Sequence, residues 1–236
     1  MVATNERPSF AGVYPVADAA AIIKATHPRI PTLPERQRPL REATTRHLFR
    51  WVREGMTGNY LVGLRGKEVA LTFLDLVSLR LIAVFRSYGI RPQELREAHD
   101  RLQDARGWSH PFAMEPMWIS GRHVYVRESN TPVAPTRTWQ AALDFIELYV
   151  GPVHRLAFDD DKQAEAWEPE NGIVLDPKVS FGEPCLKGTR IATQVLWALK
   201  AAGEPPERIA QAYQVPVAQV RAALDWERRL GFNGTQ

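Results

Sequence analysis

The chain has a single cysteine, Cys185, among 236 residues. That excludes an intrachain disulfide and any zinc site built on several thiolates. It also lacks a long apolar run: its greasiest stretch, Leu71 to Val84, is broken by Asp75, Ser78 and Arg80. No segment therefore approaches the roughly 18 apolar residues of a membrane span. The six histidines (His27, His47, His99, His110, His123 and His154) include no i, i+4 pair, and none neighbours the cysteine, so helix-borne metal ligation is not indicated. Asp159-Asp160-Asp161 lacks the glycine and closing glutamate of a calcium loop; it opens a polar stretch that reads as an exposed linker. There is no glycine-rich phosphate loop and no serine-centred nucleophile elbow. Cys185 has Lys187 nearby but no histidine base beside it, so a small, half-buried side chain is expected rather than a nucleophile. The seven tryptophans are spread out rather than grouped as a stacking platform for single strands. The first ten residues are polar, carry Glu6 and Arg7, and hold no apolar signal core. The expectation is a cytoplasmic, non-enzymatic protein without cofactor, metal or membrane partner.

Charge is present but unevenly placed. Residues 1–110 carry 17 Lys+Arg against 11 Asp+Glu, residues 111–170 carry 5 against 10, and residues 171–236 carry 8 against 6. A basic head, an acidic middle and a mildly basic tail fit an anionic partner at one end, with nucleic acid foremost.

Periodicity divides the chain the same way. Pro15 to Ile23 reads as a short helix with Val16, Ala19, Ala20 and Ile23 on one face. Pro28, Pro31, Pro34 and Pro39 then interrupt regular structure in a basic loop. Thr44 or Thr45 can cap a helix through Leu48, Trp51 and Val52 that stops at Gly55. Tyr60 to Leu64 suits a short strand, with Arg65-Gly66 as the turn of a wing. A helix over Leu71 to Tyr88, capped by Thr72 and stopped by Gly89, is the clearest in the chain. Pro92 opens the next, with Leu95, Ala98, Leu102 and Ala105 on one face and an end near Gly107. Trp118 to Val126 reads as a hairpin, and Trp139 to Tyr149 as a short helix or strand. Ile173 to Leu175 is a short apolar strand or anchor, and a turn-rich loop follows to Gly188. Three helices come next: Thr193 to Ala202, Pro206 to Tyr213 and Val217 to Leu230.

The last two have the logic of a helix-turn-helix. Gln214-Val215-Pro216 makes the turn; burying Val217, Val220 and Leu224 leaves Ala218, Gln219 and Arg221 outward. Glutamine and arginine can make paired hydrogen bonds to adenine and guanine edges. A small three-helix bundle for protein contacts is the plainer alternative.

Asp176-Pro177, Ser180-Phe181-Gly182 with Pro184, and Gly188-Thr189-Arg190-Ile191 precede this helix-turn-helix. In that order they strongly resemble the small antitoxin domain, of unknown-function origin, found in VapB-type antitoxins of type II toxin–antitoxin systems. The Gly-Thr-Arg-Ile segment reads as structural, with a turn at Gly188, a core plug at Ile191 and a carboxylate or helix-end contact for Arg190. The N-terminal half resembles the winged helix-turn-helix of MerR-like and excisionase-like regulators. Tyr14 to Ala20 matches their first helix, Thr45 to Gly55 their second, and Leu71 to Leu102 the pair after the wing. Residues 24–43 stand where that family has a short turn, which bears on the docking angle.

Together these observations give a mainly α (α+β) fold: two helix-turn-helix-type helical domains joined by a small β-containing middle. The boundaries are 1–110, 111–170 and 171–236. The resemblance to the longer mycobacterial VapB-type antitoxins implies an antitoxin that neutralises a PIN-domain (VapC-like) ribonuclease toxin and binds operator DNA as an autorepressor. The MerR-like resemblance implies DNA contacts from Arg46, Arg50 and Arg53, and the outward Gln219 and Arg221 of the C-terminal helix-turn-helix are the candidate base-reading pair. Toxin contacts fall to Lys162, Lys187 and Arg190, with Arg137 behind them, because such antitoxins lay a basic segment across an acidic nuclease centre. A homodimer on double-stranded DNA follows from the two-fold symmetry of operators. The alternatives are a stand-alone MerR-like regulator without a toxin and, from another class, an adaptor whose helix-turn-helix folds bind only proteins.

Overall fold

The computed structural model describes residues 12–26, 44–57, 61–62, 69–87, 90–117 and 155–231, with backbone only at 61, 62, 69 and 87. The expected elements at 118–126 and 139–149, Arg137, the proline-rich loop, the wing tip and the Gly89 stop lie outside the described residues.

The fold is mainly α with two small antiparallel sheets, as expected. The head begins with strand β1 (Val13–Pro15) and helix α1 (Val16–Ala25), for which Pro15 supplies the N-cap position. Helix α2 (Thr45–Arg53) starts where Thr44 Oγ1 accepts from the His47 N–H. This satisfies one of the donors a helix leaves open at its start. Strands β2 (Leu61–Val62) and β3 (Val69–Thr72) pair antiparallel, and β1 adds on the far side of β3.

Helix α3 (Phe73–Ser87) carries the cap read from its sequence. Thr72 Oγ1 accepts from the Asp75 N–H at 3.1 Å, and Asp75 Oδ2 accepts from the Thr72 N–H at 2.9 Å. This reciprocal box satisfies two donors at once. Helix α4 (Pro92–Arg106) has proline in its first turn and ends on left-handed Gly107. Its inner face is Leu95, Ala98, His99 and Leu102. Ala105, expected on that face, is exposed.

The polar stretch after Asp159 is the main correction. It is not a linker: Asp159–Asp161 turns a hairpin between β4 (Leu156–Phe158) and β5 (Ala164–Glu170). With β6 (Ile173–Leu175) and β7 (Cys185–Leu186) these form a meander, each strand antiparallel to the next. Two register shifts on β5 break its strict alternation, which hides the strand from a period-2 reading. Its glutamates looked solvated because their partners are distant in sequence. Lys178 pairs with Glu165, Lys187 and Arg155 with Glu168, and Arg229 with Glu170.

Helices α5 (Thr193–Ala201), α6 (Pro206–Tyr213) and α7 (Val217–Leu230) close the chain within a residue of their expected bounds. Cys185 is buried rather than half-buried, and burial pushes its thiol up, which agrees with an inert role.

Head and tail share one buried cluster that runs from Tyr14 to Leu230. Tyr14 Oη donates to the Gly182 carbonyl at 2.7 Å. A Cβ on Gly182, whose φ is +84°, would fall 2.5 Å from that phenol oxygen, so only glycine permits this approach. Helix α1 packs on α7, and the Arg80 guanidinium of α3 stacks 5.2 Å from the Trp167 ring of β5.

Candidate functional site

Helix α2 sorts its residues cleanly. Leu48, Trp51 and Val52 are buried, while Arg46, Arg50 and Arg53 are exposed. Spacings of four and three residues put the three arginines in one stripe along the outer face. Arg50 Nε lies 3.4 Å from Glu54, and Arg53 lies over the Phe49 ring at 5.6 Å. Arg46 has no side-chain partner among the described residues. Exposed ion pairs contribute little, so Arg50 can exchange Glu54 for a phosphate at small cost. This stripe can neutralise a polyanion backbone, and phosphate binding suits it better than base reading.

The C-terminal helix-turn-helix has its expected turn. Gln214 takes a left-handed conformation, and Val220 and Leu224 are buried, with Val217 packed on the core. Ala218 and Arg221 are exposed and Gln219 half-buried. The structure adds a partner that sequence reasoning missed: Arg221 Nη2 sits 2.8 Å from Glu207 of α6. The guanidinium expected at a base edge is engaged across the two helices, by an exposed pair that DNA could displace.

Of the three basic residues expected to meet a toxin, the structure brings Lys187 and Arg190 together. They line one cavity of about 450 Å³ beside β6 and β7, with Asp176 in its wall. Arg190 is exposed, and its guanidinium has no partner among the described residues. Lys162 sits apart, in the β4–β5 turn at φ +66°, with Nζ 3.2 Å from Glu115.

Lys187 Nζ is held 2.7 Å from Glu168 Oε2, while Glu168 Oε1 accepts from Arg155 at 2.8 Å and from the Gly172 N–H at 2.9 Å. Burial alone would raise the Glu168 carboxyl, but the Gly172, Lys187 and Arg155 donors outweigh it and hold it below its ordinary range. Replacing Glu168 by alanine strips three charge-assisted bonds from the sheet; it is expected to cost about 2 kcal/mol in urea denaturation at neutral pH. Because the folded carboxyl is depressed, this stabilisation is present above the ordinary carboxylate range and is lost as pH falls through the depressed value. Wild type and Glu168→Ala should therefore converge in acid. Equal stability of the two at neutral pH would refute the assignment.

A second cavity, of about 320 Å³, lies in the seam between head and tail. Its walls include Tyr14 of β1, Asp18 and Ile22 of α1, Glu183 before β7, Thr193 of α5 and Glu227 of α7. Glu227 is 2% exposed, and burial pushes its carboxyl up. Burial also raises Asp18. Glu227 does not stand out in the sequence, although a signal is there: it continues the inward row of Val220, Ala223 and Leu224 toward Leu230. An ionisable residue at a core position of a helix is rarely buried without a reason.

Known proteins share these outlines. Residues 173–226 match a family described as a protein of unknown function, DUF433. A protein of Mycobacterium tuberculosis named "Putative antitoxin VapB45" is 25% identical over 178 residues, covering 68% of this chain and 72% of its own length. The crystal structure of Rv2018 from Mycobacterium tuberculosis superposes with a TM-score of 0.66 at 21% identity, over 89% of this chain and 96% of that one. That likeness is one of fold. Among the described residues no helix is long and apolar enough to cross a membrane, and no cluster of His, Cys, Asp and Glu is arranged to hold a metal.

Proposed function

We propose that this chain is a non-enzymatic antitoxin of a type II toxin–antitoxin pair. It binds and silences a PIN-domain (VapC-like) ribonuclease and, as a homodimer, occupies operator DNA as an autorepressor. The antitoxin half of this reading is supported by the similarity over 178 residues to the relative that bears an antitoxin name. The DNA half rests on the exposed Arg46, Arg50 and Arg53 stripe of the MerR-like head, with β2–β3 as its wing. Gln219 and Arg221 supply a second, base-reading contact from the tail. Arg190 is the foremost toxin contact because it is the cation of its group without a partner among the described residues; Lys187 beside it and Lys162 in the β4–β5 turn must first leave Glu168 and Glu115. A guanidinium fork suits the clustered carboxylates of a metal-dependent nuclease.

The test is co-expression with the product of the adjacent gene, followed by co-purification and an RNA-cleavage assay. The expected outcome is a stable complex whose nuclease activity appears only when this chain is removed. Arg190→Glu should release that activity at antitoxin concentrations where wild type suppresses it. A neighbour without nuclease activity, or no complex, would overturn the antitoxin reading in favour of a stand-alone MerR-like regulator.

A further inference from the structure

We infer that the seam cavity is a binding site for a small organic monocation, an ammonium group carried on an apolar body. This stands apart from the antitoxin reading, because none of the residues assigned to DNA or toxin lines the cavity.

Three observations carry it. The first is size: about 320 Å³ lies within the range of small-molecule sites and is small for a folded partner's surface element. The second is the walls. Val13, Pro15, Ile22, Pro184 and Leu230 give an apolar lining, while Asp18, Glu183 and Glu227 give three carboxyls, and no lysine, arginine or histidine among the described residues lines the space. None of these carboxyls is ion-paired among the described residues. Asp18 and Glu183 reach solvent, but Glu227 is buried with no cation against it among the described residues, and the site can take one from a ligand.

The third is Glu227 itself. Its Oε1 is in hydrogen-bond contact with Thr193 Oγ1, which also lies 3.1 Å from the Pro184 carbonyl. The Thr193 hydroxyl has one proton to give, and the carbonyl can only accept. That proton goes to Glu227 Oε1, while the Pro184 carbonyl is served by the Thr193 backbone N–H at 2.8 Å. The second Glu227 oxygen, Oε2, has no partner among the described residues and is not sealed from solvent. A buried acid with a free oxygen on a cavity is costly unless something fills the gap. The titratable groups that face it across the cavity are Tyr14 of β1, Asp18 of α1 and Glu183 of the turn before β7. Each is neutral or anionic, so an arriving cation meets only attraction. On binding, the ammonium donates to Glu227 Oε2, and Oε1 keeps the Thr193 contact as acceptor.

The rim agrees with an apolar ligand body. The most exposed large apolar side chains among the described residues are Val13, Phe181 and Val195. Of these, Val13 lines the cavity.

The experiment is calorimetric titration of the full chain with benzylammonium and n-hexylammonium, against benzyl alcohol and n-hexanol as uncharged controls. Each amine is expected to bind once per chain, at least about tenfold more tightly than its alcohol. Burial raises the Glu227 carboxyl, so amine affinity should weaken as the buffer is made more acidic, and Glu227→Gln should blunt that dependence. Glutamine keeps the shape and its Oε1 can accept from Thr193, so folding should be retained. The double variant Asp18→Asn, Glu227→Gln should bind amine and alcohol alike. Equal binding of amine and alcohol to wild type, no binding at millimolar concentration, or an amine affinity that does not change between neutral and acidic pH would overturn the proposal. The amine–alcohol comparison and its pH dependence are read on the unmodified chain, so the proposal stays falsifiable even where a variant fails to fold.

Discussion

Replacing Arg46, Arg50 and Arg53 together by alanine is expected to abolish most DNA affinity without disturbing the fold. Each arginine that neutralises a phosphate releases about one counterion, so the triple variant should lose roughly three units of the salt slope and on the order of 10² to 10³ in affinity at 0.1 M salt. The loss should be the same on operator and unrelated DNA, because phosphates carry no sequence information. Stability should hardly move: the three side chains are exposed, while Leu48, Trp51 and Val52 form the buried face of the helix. Removing Gln219 and Arg221 should act differently. If the tail reads bases, that pair of substitutions narrows the gap between operator and unrelated DNA and changes the salt slope by about one unit. Filter binding or fluorescence anisotropy across a salt series separates the two outcomes. An unchanged slope in the triple variant would remove the DNA half of the proposed function and leave an adaptor that uses these helices for protein contacts.

That stripe was legible in the sequence because helix α2 is a local object. Thr44 caps it, its apolar residues fall on one face, and the arginines are what remains. The same holds for α3, with its Thr72 and Asp75 box, for α4 between Pro92 and Gly107, and for the three C-terminal helices. Caps, prolines and left-handed stops act over four residues, and reading them needs no knowledge of the rest of the chain. What escaped notice depends on distant partners. Strand β5 looked like a linker because Glu165, Glu168 and Glu170 find their cations up to some sixty residues away, at Lys178, Arg155, Lys187 and Arg229. His99 appeared only as one scattered histidine, yet it sits in the buried face of α4. Glu207 was an unremarked surface acid until it closed on Arg221. The seam cavity was invisible for the same reason: Asp18 and Glu227 are separated by most of the chain and meet only through the packing of α1 on α7.

Arg80 shows the largest consequence of such a long-range contact, and Arg80→Ala is expected to cost about 4 kcal/mol, as for other broken buried charge contacts. In the sequence Arg80 merely interrupts an apolar run. In the fold it is 2% exposed, and its guanidinium donates to both Thr26 Oγ1 and the Thr26 carbonyl at 2.6 Å. Thr26 ends helix α1, so Arg80 satisfies a helix terminus that would otherwise be buried with open acceptors. Its other face rests on Trp167 of β5, which ties the head to the β4–β7 sheet. Burial pushes the guanidinium down to about 9, so it is still charged at neutral pH and the bonds are charge-assisted. Alanine would leave a void beside Trp167 and an unpaired carbonyl at Thr26. Lysine would keep the charge but lose the fork and the stacked plane, at an expected cost of about 2 kcal/mol. Wild type should unfold in urea as one cooperative transition, because a single buried cluster spans the chain. Arg80→Ala should lower the midpoint and separate the head from the β4–β7 sheet into two transitions, since the Trp167 contact it removes joins them, while the Thr26 bonds lie within the head. Loss of less than about 1 kcal/mol, with one transition retained, would mean that the α1–α7 packing and the Tyr14–Gly182 bond hold the seam without it.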